Sequence, residues 1–295
     1  MIGELFIGEL GVNLFLQSFA NPINTLIFIF LTMLGDPFFW IIISAILFWM
    51  NNEKESMRIA TIVFLNATIL GLLKFIVHRP RPNIPHLEEF TTKQAFPSGH
   101  VAILTSIYAF YEKKIKSKEK IILILIIILT GISRLYLGVH YISDVLVGIL
   151  LGYLLGKMFY KLENKFEIIR QNTIKQKNIF TLFLIILTFF IIKYLPMNLF
   201  LAITLIGYYI GYMLHNNSFV VKKMKTSYII IGIAIMIFLV DLATKTNYIL
   251  SGILFLITGL FITLIWPRTI FLIEQTLKIK NKQAKIKSKL NKKTN

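Results

Sequence analysis

Long apolar segments, separated by short polar breaks, make up most of this 295-residue chain. A helix of about 20 apolar residues crosses the hydrocarbon core of a bilayer while pairing its own backbone groups. The sequence contains ten such segments, at 20–35, 37–50, 58–77, 98–112, 120–139, 141–160, 178–194, 197–214, 226–244 and 247–266. The pattern predicts an all-α bundle of membrane-crossing helices. Only the turn at 35–37 separates the first two segments, so a re-entrant hairpin and nine crossings is the alternative.

Lysine and arginine cluster in alternate breaks between these segments. The clusters lie at 51–58, 111–120, 161–177, 222–225 and from residue 268 onward. Cytoplasmic loops are enriched in these residues, so we expect all five regions on the cytoplasmic side. The formal net charge of +18 could suggest nucleic acid, but cations placed between apolar segments fit topology control and anionic lipid headgroups better. We therefore expect membrane lipids, and not nucleic acid, as partners.

The first 20 residues carry Glu4 and Glu9 but no lysine or arginine. A secretory signal peptide begins with a basic stretch, so we expect this segment to be retained, as an interfacial or re-entrant helix. Cysteine is absent from the chain. This excludes disulfide bonds, thiol chemistry and cysteine metal sites.

One polar run lies between two of the apolar segments: Ser133 and Arg134, then His140 and Asp144. Ionisable residues near a bilayer are costly, which makes them candidates for function. His140 and Asp144 are four residues apart and would share a face of a helix. A carboxylate bonded to one ring nitrogen leaves the other nitrogen free to attack or to take a proton, and Arg134 could bind an oxyanion. For this run alone, a capped polar helix end is the alternative.

A second cluster consists of Lys74, Arg81 and Pro82. Prolines on both sides of Arg81 prevent a helix, so this residue should lie on a turn or an extended piece. Phosphoryl transfer spreads negative charge over the phosphate oxygens and needs fixed cations around them. Lys74, Arg81 and Arg134 could supply these cations, and ordinary cations at a membrane edge are the alternative.

A third cluster, Pro97-Ser98-Gly99-His100, stands at the start of an apolar segment. Ser98 is a good N-cap residue, and Gly99 allows the backbone to approach a ligand closely. Free N–H groups at a helix start bind anions, although simple capping explains the same residues. By the predicted topology, residues 78–97 and 139–141 lie on the side away from the lysine-rich loops, so the three clusters should converge at one membrane face.

With these three clusters in this order, the chain resembles the type 2 phosphatidic acid phosphatase (PAP2) family over roughly residues 20–160. That superfamily includes lipid phosphatases, glucose-6-phosphatase and vanadium haloperoxidases. Every signature position is present: Lys74, Arg81, Pro82, Pro97, Ser98, Gly99, His100, Ser133, Arg134, His140 and Asp144. Three separated motifs in the right order are more specific than any one of them.

The resemblance implies a role for each residue. His140 is the nucleophile that forms a phosphohistidine, Asp144 orients it, and His100 protonates the leaving oxygen and then activates water. The implied phosphate-binding residues are Lys74, Arg81, Ser98, Gly99 and Arg134. No metal or cofactor is needed. The adjacent Glu88 and Glu89 are a weak metal signal, and we expect them to be solvated.

We predict four regions along the chain. Residues 1–160 form a PAP2-like catalytic membrane core containing a six-helix bundle, and 161–177 form a basic cytoplasmic connector. Residues 178–266 form about four additional C-terminal transmembrane helices, and 267–295 a lysine-rich cytoplasmic tail. Asp241 has Lys245 four residues on, which favours a structural or interfacial ion pair over a substrate or ion site.

The predicted function is that of an integral-membrane, metal-independent lipid phosphatase in the cell membrane, with its active site on the extracytoplasmic side. The motifs contact only the phosphoryl group, so undecaprenyl diphosphate, phosphatidylglycerol phosphate, phosphatidate and sphingoid-base phosphate are all candidate substrates. The alternatives are a phosphotransferase and a non-enzymatic lipid transporter or scaffold. The vanadium enzymes are soluble, which argues against haloperoxidase activity in this apolar chain.

Overall fold

The computed structural model describes residues 5–88, 92–172, 182, 186, 199–215 and 224–291. Helices account for nearly all of the regular structure in these residues. They are α1 (Glu9–Gln17), α2 (Pro22–Met33), α3 (Pro37–Trp49), α4 (Glu53–Val77), α5 (Gly99–Tyr111), α6 (Ser117–Tyr136), α7 (Ile142–Asn172), α8 (Leu199–Leu214), α9 (Thr226–Thr244), α10 (Tyr248–Leu260) and α11 (Trp266–Asn291), the last two joined by a π-helical turn, Phe261–Ile265. The prediction of an all-α membrane bundle is confirmed.

Each predicted apolar segment that falls within the described residues coincides with a helix, and the segment 178–194 lies outside them except for residues 182 and 186. Among the described residues, four helical stretches could cross a membrane by length and composition: Glu53–Val77, Ile142–Glu163, Thr226–Thr244 and Tyr248–Ala284. Helices α2 and α3 are together also long and apolar enough to cross a membrane, but they bend by 53° at the break between them. Such a bend is found in a broken span or a re-entrant loop. This is a multi-pass membrane protein.

Helices α5 and α7 pack with their backbones in contact. The contact follows from three glycines at four-residue spacing on α7: Gly148, Gly152 and Gly156. A Cβ atom at these positions would clash with the carbonyl oxygens of Ser98, Ala102 and Ser106, respectively. Small residues at this spacing allow close helix packing in membranes. The glycines therefore fix the start of α5 beside the first turns of α7.

Ion pairs join α4, α5 and α7 at the end of the first unit opposite the motif residues. Arg58 at the start of α4 pairs with Glu163 on α7, and Lys114 lies 3.6 Å from the same carboxylate. Lys157 on α7 pairs with Glu112 at the end of α5. The basic residues predicted to be cytoplasmic in this part of the chain thus gather at one end of the helices.

The chain divides into two compact units, one of residues 1–44 and 57–202 and the other of residues 45–56 and 203–295. All of the motif residues belong to the first unit. The predicted four-region division stays a prediction, and helix α7 continues to Asn172 through the first part of the predicted connector.

The second unit contains two buried polar contacts between segments far apart in the sequence. Trp49 Nε1 donates to the carbonyl of Ile262 at 2.8 Å, and the hydroxyls of Ser56 and Tyr208 lie 2.6 Å apart. Ile262 lies in the π-helical turn, which leads into the lysine-rich α11. At the end of α9, the predicted pair of Asp241 and Lys245 is present at 2.7 Å, with both side chains exposed.

Candidate active site

The three polar clusters meet at one end of the first unit. The backbone N–H of Ser98 donates to the carbonyl of Asp144 at 3.0 Å, which joins the second and third clusters. Arg81 Nη1 donates to the carbonyl of Val139 at 2.5 Å, which joins the first cluster to the loop carrying His140. The predicted convergence is therefore present in the geometry.

Arg81 lies in the loop after α4, in an extended piece, as its flanking prolines predicted. The piece is marked by an isolated bridge between Pro80 and Gln94. Its guanidinium also donates from Nε to the carbonyl of Thr92 at 2.9 Å. Burial, followed by the nearby charge of Arg134, lowers the pKa of Arg81 to about 10. The guanidinium therefore remains charged at neutral pH.

Lys74 occupies the last turn of α4 and points into the same region. Its Nζ donates to the carbonyls of Gln94 and Ala95, at 3.0 and 3.2 Å. Those two residues belong to the loop that leads into the Ser98 cluster. The lysine therefore ties the end of α4 to the approach to α5.

Arg134 is buried in the last turn of α6. Its Nη1 donates to Thr32 Oγ1 at 2.6 Å and to Glu88 Oε2 at 2.5 Å, whereas its Nε is buried without a partner. Glu88, which was expected to be solvated, keeps 23% of its side chain exposed but also forms an ion pair with Arg134, and Glu89 lies outside the described residues. Arg134, the third of the predicted phosphate-binding cations, is thus paired with an acidic side chain from the loop 83–88.

Ser98 holds the N-cap position of α5, with Gly99 as the first helical residue. The backbone of Ser98 is extended, as an N-cap requires, but its side chain makes no capping hydrogen bond. Its Oγ is buried without a partner. The space where a Cβ of Gly99 would stand is open, with nothing within 4 Å. A buried hydroxyl and an uncovered helix start are suited to an anion.

His140 and Asp144 form the predicted i, i+4 pair across the start of α7. His140 Nδ1 lies 3.5 Å from Asp144 Oδ2, which is too long for a good hydrogen bond. The same oxygen of Asp144 accepts the backbone N–H of Tyr141 at 2.8 Å. The aspartate is thus fixed behind the imidazole, and both side chains are almost completely buried.

The His140 imidazole lies in a cationic environment. Burial, together with the charges of Arg81, Lys74 and Arg134, lowers the pKa of His140 well below its ordinary value. A histidine with a lowered pKa is neutral at neutral pH. A neutral imidazole has the lone pair that a nucleophile needs.

His100, in the first turn of α5, faces Asp36. Its Nε2 lies 3.7 Å from Asp36 Oδ2, in the bend between α2 and α3. The preceding Gly35 permits this approach, because a Cβ there would lie 2.7 Å from both the Cβ and the carbonyl oxygen of His100. Asp36 is thus a candidate partner of His100 that sequence reasoning did not identify.

Three more buried polar residues surround the site and were also missed: Glu9, Asn13 and Arg79. A signal for the first two exists, because Glu9, Asn13 and Gln17 recur every four residues in an otherwise apolar segment. The signal for Arg79 is its place in Arg79-Pro80-Arg81-Pro82, two residues before the signature residue Arg81. Among the described residues, no group of three or more His, Asp or Glu side chains could hold a metal ion.

Comparison with known proteins identifies the family. A model described as the PAP2 superfamily matches residues 55–168, which contain all of the signature positions. An undecaprenyl-diphosphatase from Sulfolobus acidocaldarius is 34% identical over 158 residues, covering 50% of this chain and 76% of that protein. This chain belongs to the PAP2 superfamily. The prediction of a PAP2-type phosphatase is confirmed.

Two further matches to this PAP2 phosphatase, one in sequence and one in structure, come from Bacillus subtilis. Phosphatidylglycerophosphatase B is 30% identical over 118 residues, which are 37% of this chain and 58% of that protein. The crystal structure of a transmembrane PAP2-type phosphatidylglycerolphosphate phosphatase superposes with a TM-score of 0.47 and 26% identity, covering 54% of this chain and 85% of that one. Glu9 and Asp36 lie outside the part of this PAP2 phosphatase that matches the family model.

Proposed function

We propose that this PAP2 phosphatase is a metal-independent lipid phosphatase that hydrolyses a phosphomonoester or diphosphate headgroup through a phosphohistidine intermediate. The observation that carries the proposal is the buried His140, backed by Asp144 and lying among three cationic side chains. A neutral nucleophile in a cationic pocket suits an anionic phosphorus centre.

The reaction has two steps. In the first, the lone pair of His140 Nε2 forms an N–P bond while the bond from phosphorus to the leaving oxygen breaks. The leaving oxygen is the lipid oxygen of a phosphomonoester or the bridging oxygen of a diphosphate, and it takes a proton from His100. In the second, His100 takes a proton from water as the water oxygen attacks phosphorus. The N–P bond breaks, its electron pair returns to His140, and inorganic phosphate leaves. The sum consumes one water and yields a lipid alcohol or lipid monophosphate.

Each of the other site residues has a part in these steps. Lys74, Arg81 and Arg134 hold the phosphate oxygens, with Ser98 Oγ and the N–H groups at Gly99 as further donors. Asp144 holds the imidazole and stabilises its positive charge after the N–P bond forms. Arg134 Nε, which is buried without a partner, is open to a phosphate oxygen while Nη1 stays paired with Glu88.

A lipid substrate fits the setting of the site and the names of the relatives. The relatives named above are an undecaprenyl-diphosphatase and a phosphatidylglycerophosphatase. Helix α2, which contacts Arg134 through Thr32, exposes large apolar side chains such as Leu26 and Phe30. The hydrocarbon tails of a substrate can stay in the bilayer while the headgroup enters the cationic pocket.

The purified protein is expected to release inorganic phosphate from a lipid in the presence of EDTA. The assay uses a panel of undecaprenyl diphosphate, phosphatidylglycerol phosphate, phosphatidate and sphingosine phosphate, each with EDTA and with Mg²⁺. Turnover that survives EDTA supports the proposal, because the cations and histidines of the site need no metal. An absolute requirement for Mg²⁺, or a phosphorylated acceptor without free phosphate, would contradict hydrolysis by this route.

The active site is proposed to face the extracytoplasmic side of the cell membrane. In the first unit the motif residues lie at the opposite helix ends from Arg58, Lys113, Lys114 and Lys157, and lysine-rich ends are normally cytoplasmic.

Single cysteines can test this orientation, because the native chain has none. Asn83→Cys, in the exposed loop of the site, should react with an impermeant thiol reagent in intact cells. Lys118→Cys, at the start of α6, should react only after the membrane is permeabilised. The reverse pattern would place the site in the cytoplasm.

A further inference from the structure

A buried arginine outside the signature positions holds the aspartate behind His140. Arg79 Nη1 donates to Asp144 Oδ1 and to Ser143 Oγ, both at 2.6 Å. Its guanidinium also lies over the ring of Tyr141, 4.2 Å from the centroid. Arg79 has 0% of its surface exposed. One oxygen of Asp144 is thus held by Arg79, and the other faces His140.

The other end of the same guanidinium is bound by α1. Arg79 Nη2 donates to Glu9 Oε2 at 2.6 Å. The second oxygen of Glu9 accepts the backbone N–H of Ser143, in the first turn of α7, at 2.8 Å. Glu9 is 2% exposed, and the backbone N–H of Leu5 also donates to it, at 2.8 Å. A carboxylate on α1 therefore fixes both Arg79 and the helix start that carries Asp144.

A second residue on the same face of α1 holds the backbone of the nucleophile. Asn13 Nδ2 donates to the carbonyl of His140 at 2.9 Å and to the carbonyl of Leu135 at 2.8 Å. Asn13 is completely buried, whereas Leu14 and Phe15, which follow it, are at least half exposed. The polar face of α1 thus points into the site and its apolar face points out.

The charges of Asp144, Arg79 and Glu9 explain why Glu9 is needed. The positive charge that His140 gains when it attacks phosphorus is stabilised by Asp144. Arg79, bonded to Asp144, would by itself cancel much of that negative charge. Glu9 neutralises Arg79 from the other side, so the Asp144 carboxylate keeps its effect on the imidazole. Buried ionic groups interact strongly, because water does not screen them.

We propose that α1 is part of the catalytic machinery, with Glu9 acting through Arg79 as a positioning residue for Asp144 and His140. The proposal rests on the lipid phosphatase function proposed above and adds Glu9 and Arg79 to the residues that this function needs. It also gives the N-terminal segment a role beyond that of an interfacial helix.

The test compares Glu9→Gln with the wild-type protein. The variant keeps the shape of the side chain and removes its charge. We expect kcat to fall by about 10- to 100-fold, since small misplacements of catalytic groups have effects of this size. KM and the inhibition constant of inorganic phosphate should change by less than about threefold, because Lys74, Arg81 and Arg134 are untouched.

Two further variants make the test specific. Glu112→Gln, which removes a partly buried carboxylate paired with Lys157 at the far end of the helices, is the matched control and should keep wild-type turnover. The double variant Glu9→Gln with Arg79→Gln should be no slower than Arg79→Gln alone, because a glutamine can still accept the backbone N–H of Ser143 and the charge of Glu9 acts through Arg79.

Four results would overturn the inference: wild-type kcat in Glu9→Gln, additive losses in the double variant, the same loss in Glu112→Gln, or a rise in the phosphate inhibition constant as large as the fall in kcat. The last would show a collapsed pocket. If the wild-type protein hydrolyses no lipid of the panel, that result would instead contradict the proposed function. The two failures are therefore distinguishable.

Discussion

Replacing His140 by alanine is expected to lower phosphate release by about 10⁴-fold or more, since removal of a catalytic nucleophile is among the most damaging changes to an enzyme. The cationic pocket stays in place, so the variant should still bind inorganic phosphate. The measurement is steady-state phosphate release from the best lipid of the panel, with product inhibition by phosphate as the readout of binding.

His86→Ala is the matched control for this variant. His86 lies in the same loop region as Arg81, and its Nε2 lies 3.0 Å from the carbonyl oxygen of Pro82. It should retain turnover near that of the wild type. A phosphoenzyme that is labile in acid and stable in alkali should form in the wild type and be missing in His140→Ala. Undiminished turnover in His140→Ala would remove the mechanism.

Replacing His100 by alanine is expected to cost about 10²- to 10⁴-fold with a lipid substrate, the usual range for general acid and base catalysis. A lipid alkoxide leaves poorly without a proton. An aryl phosphate with a stabilised phenolate leaving group needs no proton, so its first step should be far less affected. Water activation also depends on His100, so the phosphohistidine should then accumulate.

The measurement for His100→Ala is rapid-quench detection of phosphoenzyme, together with turnover on both substrates. Asp36→Asn is an informative companion, because Asp36 lies 3.7 Å from the imidazole and its loss should give a smaller defect of the same kind. Equal losses on the lipid and on the aryl phosphate, with no phosphoenzyme, would show that His100 is not the acid.

The sequence was sufficient to predict the apolar helices of the described part of the chain and the convergence of the motifs, whereas α11 continues to Asn291 through the predicted lysine-rich tail. Apolar segments long enough to cross a membrane have few alternatives to helix, and successive breaks must alternate between its two sides. That alternation brings the loop containing Arg81, the start of α5 and the turn before α7 to one end. Residue type and spacing singled out His140 and Asp144, and the resemblance to the PAP2 family singled out His100.

Partners of those residues could not be predicted in the same way. Glu9 is 70 residues from Arg79, and no periodicity links two positions on different helices so far apart. Asp36 had the appearance of an ordinary turn residue before a proline. Ser98 was correctly assigned to the N-cap position, but the sequence could not indicate that its hydroxyl makes no bond there.

The glycines of α7 have a consequence for how the hydrocarbon tail of a lipid reaches the pocket. Positions 148, 152 and 156 bring the backbones of α5 and α7 together with no gap for a hydrocarbon chain. Acyl or prenyl groups therefore cannot pass between α5 and α7 and must approach along another side of the helices. Helix α2 offers one, because Leu26, Ile27 and Phe30 are exposed while Thr32 reaches Arg134.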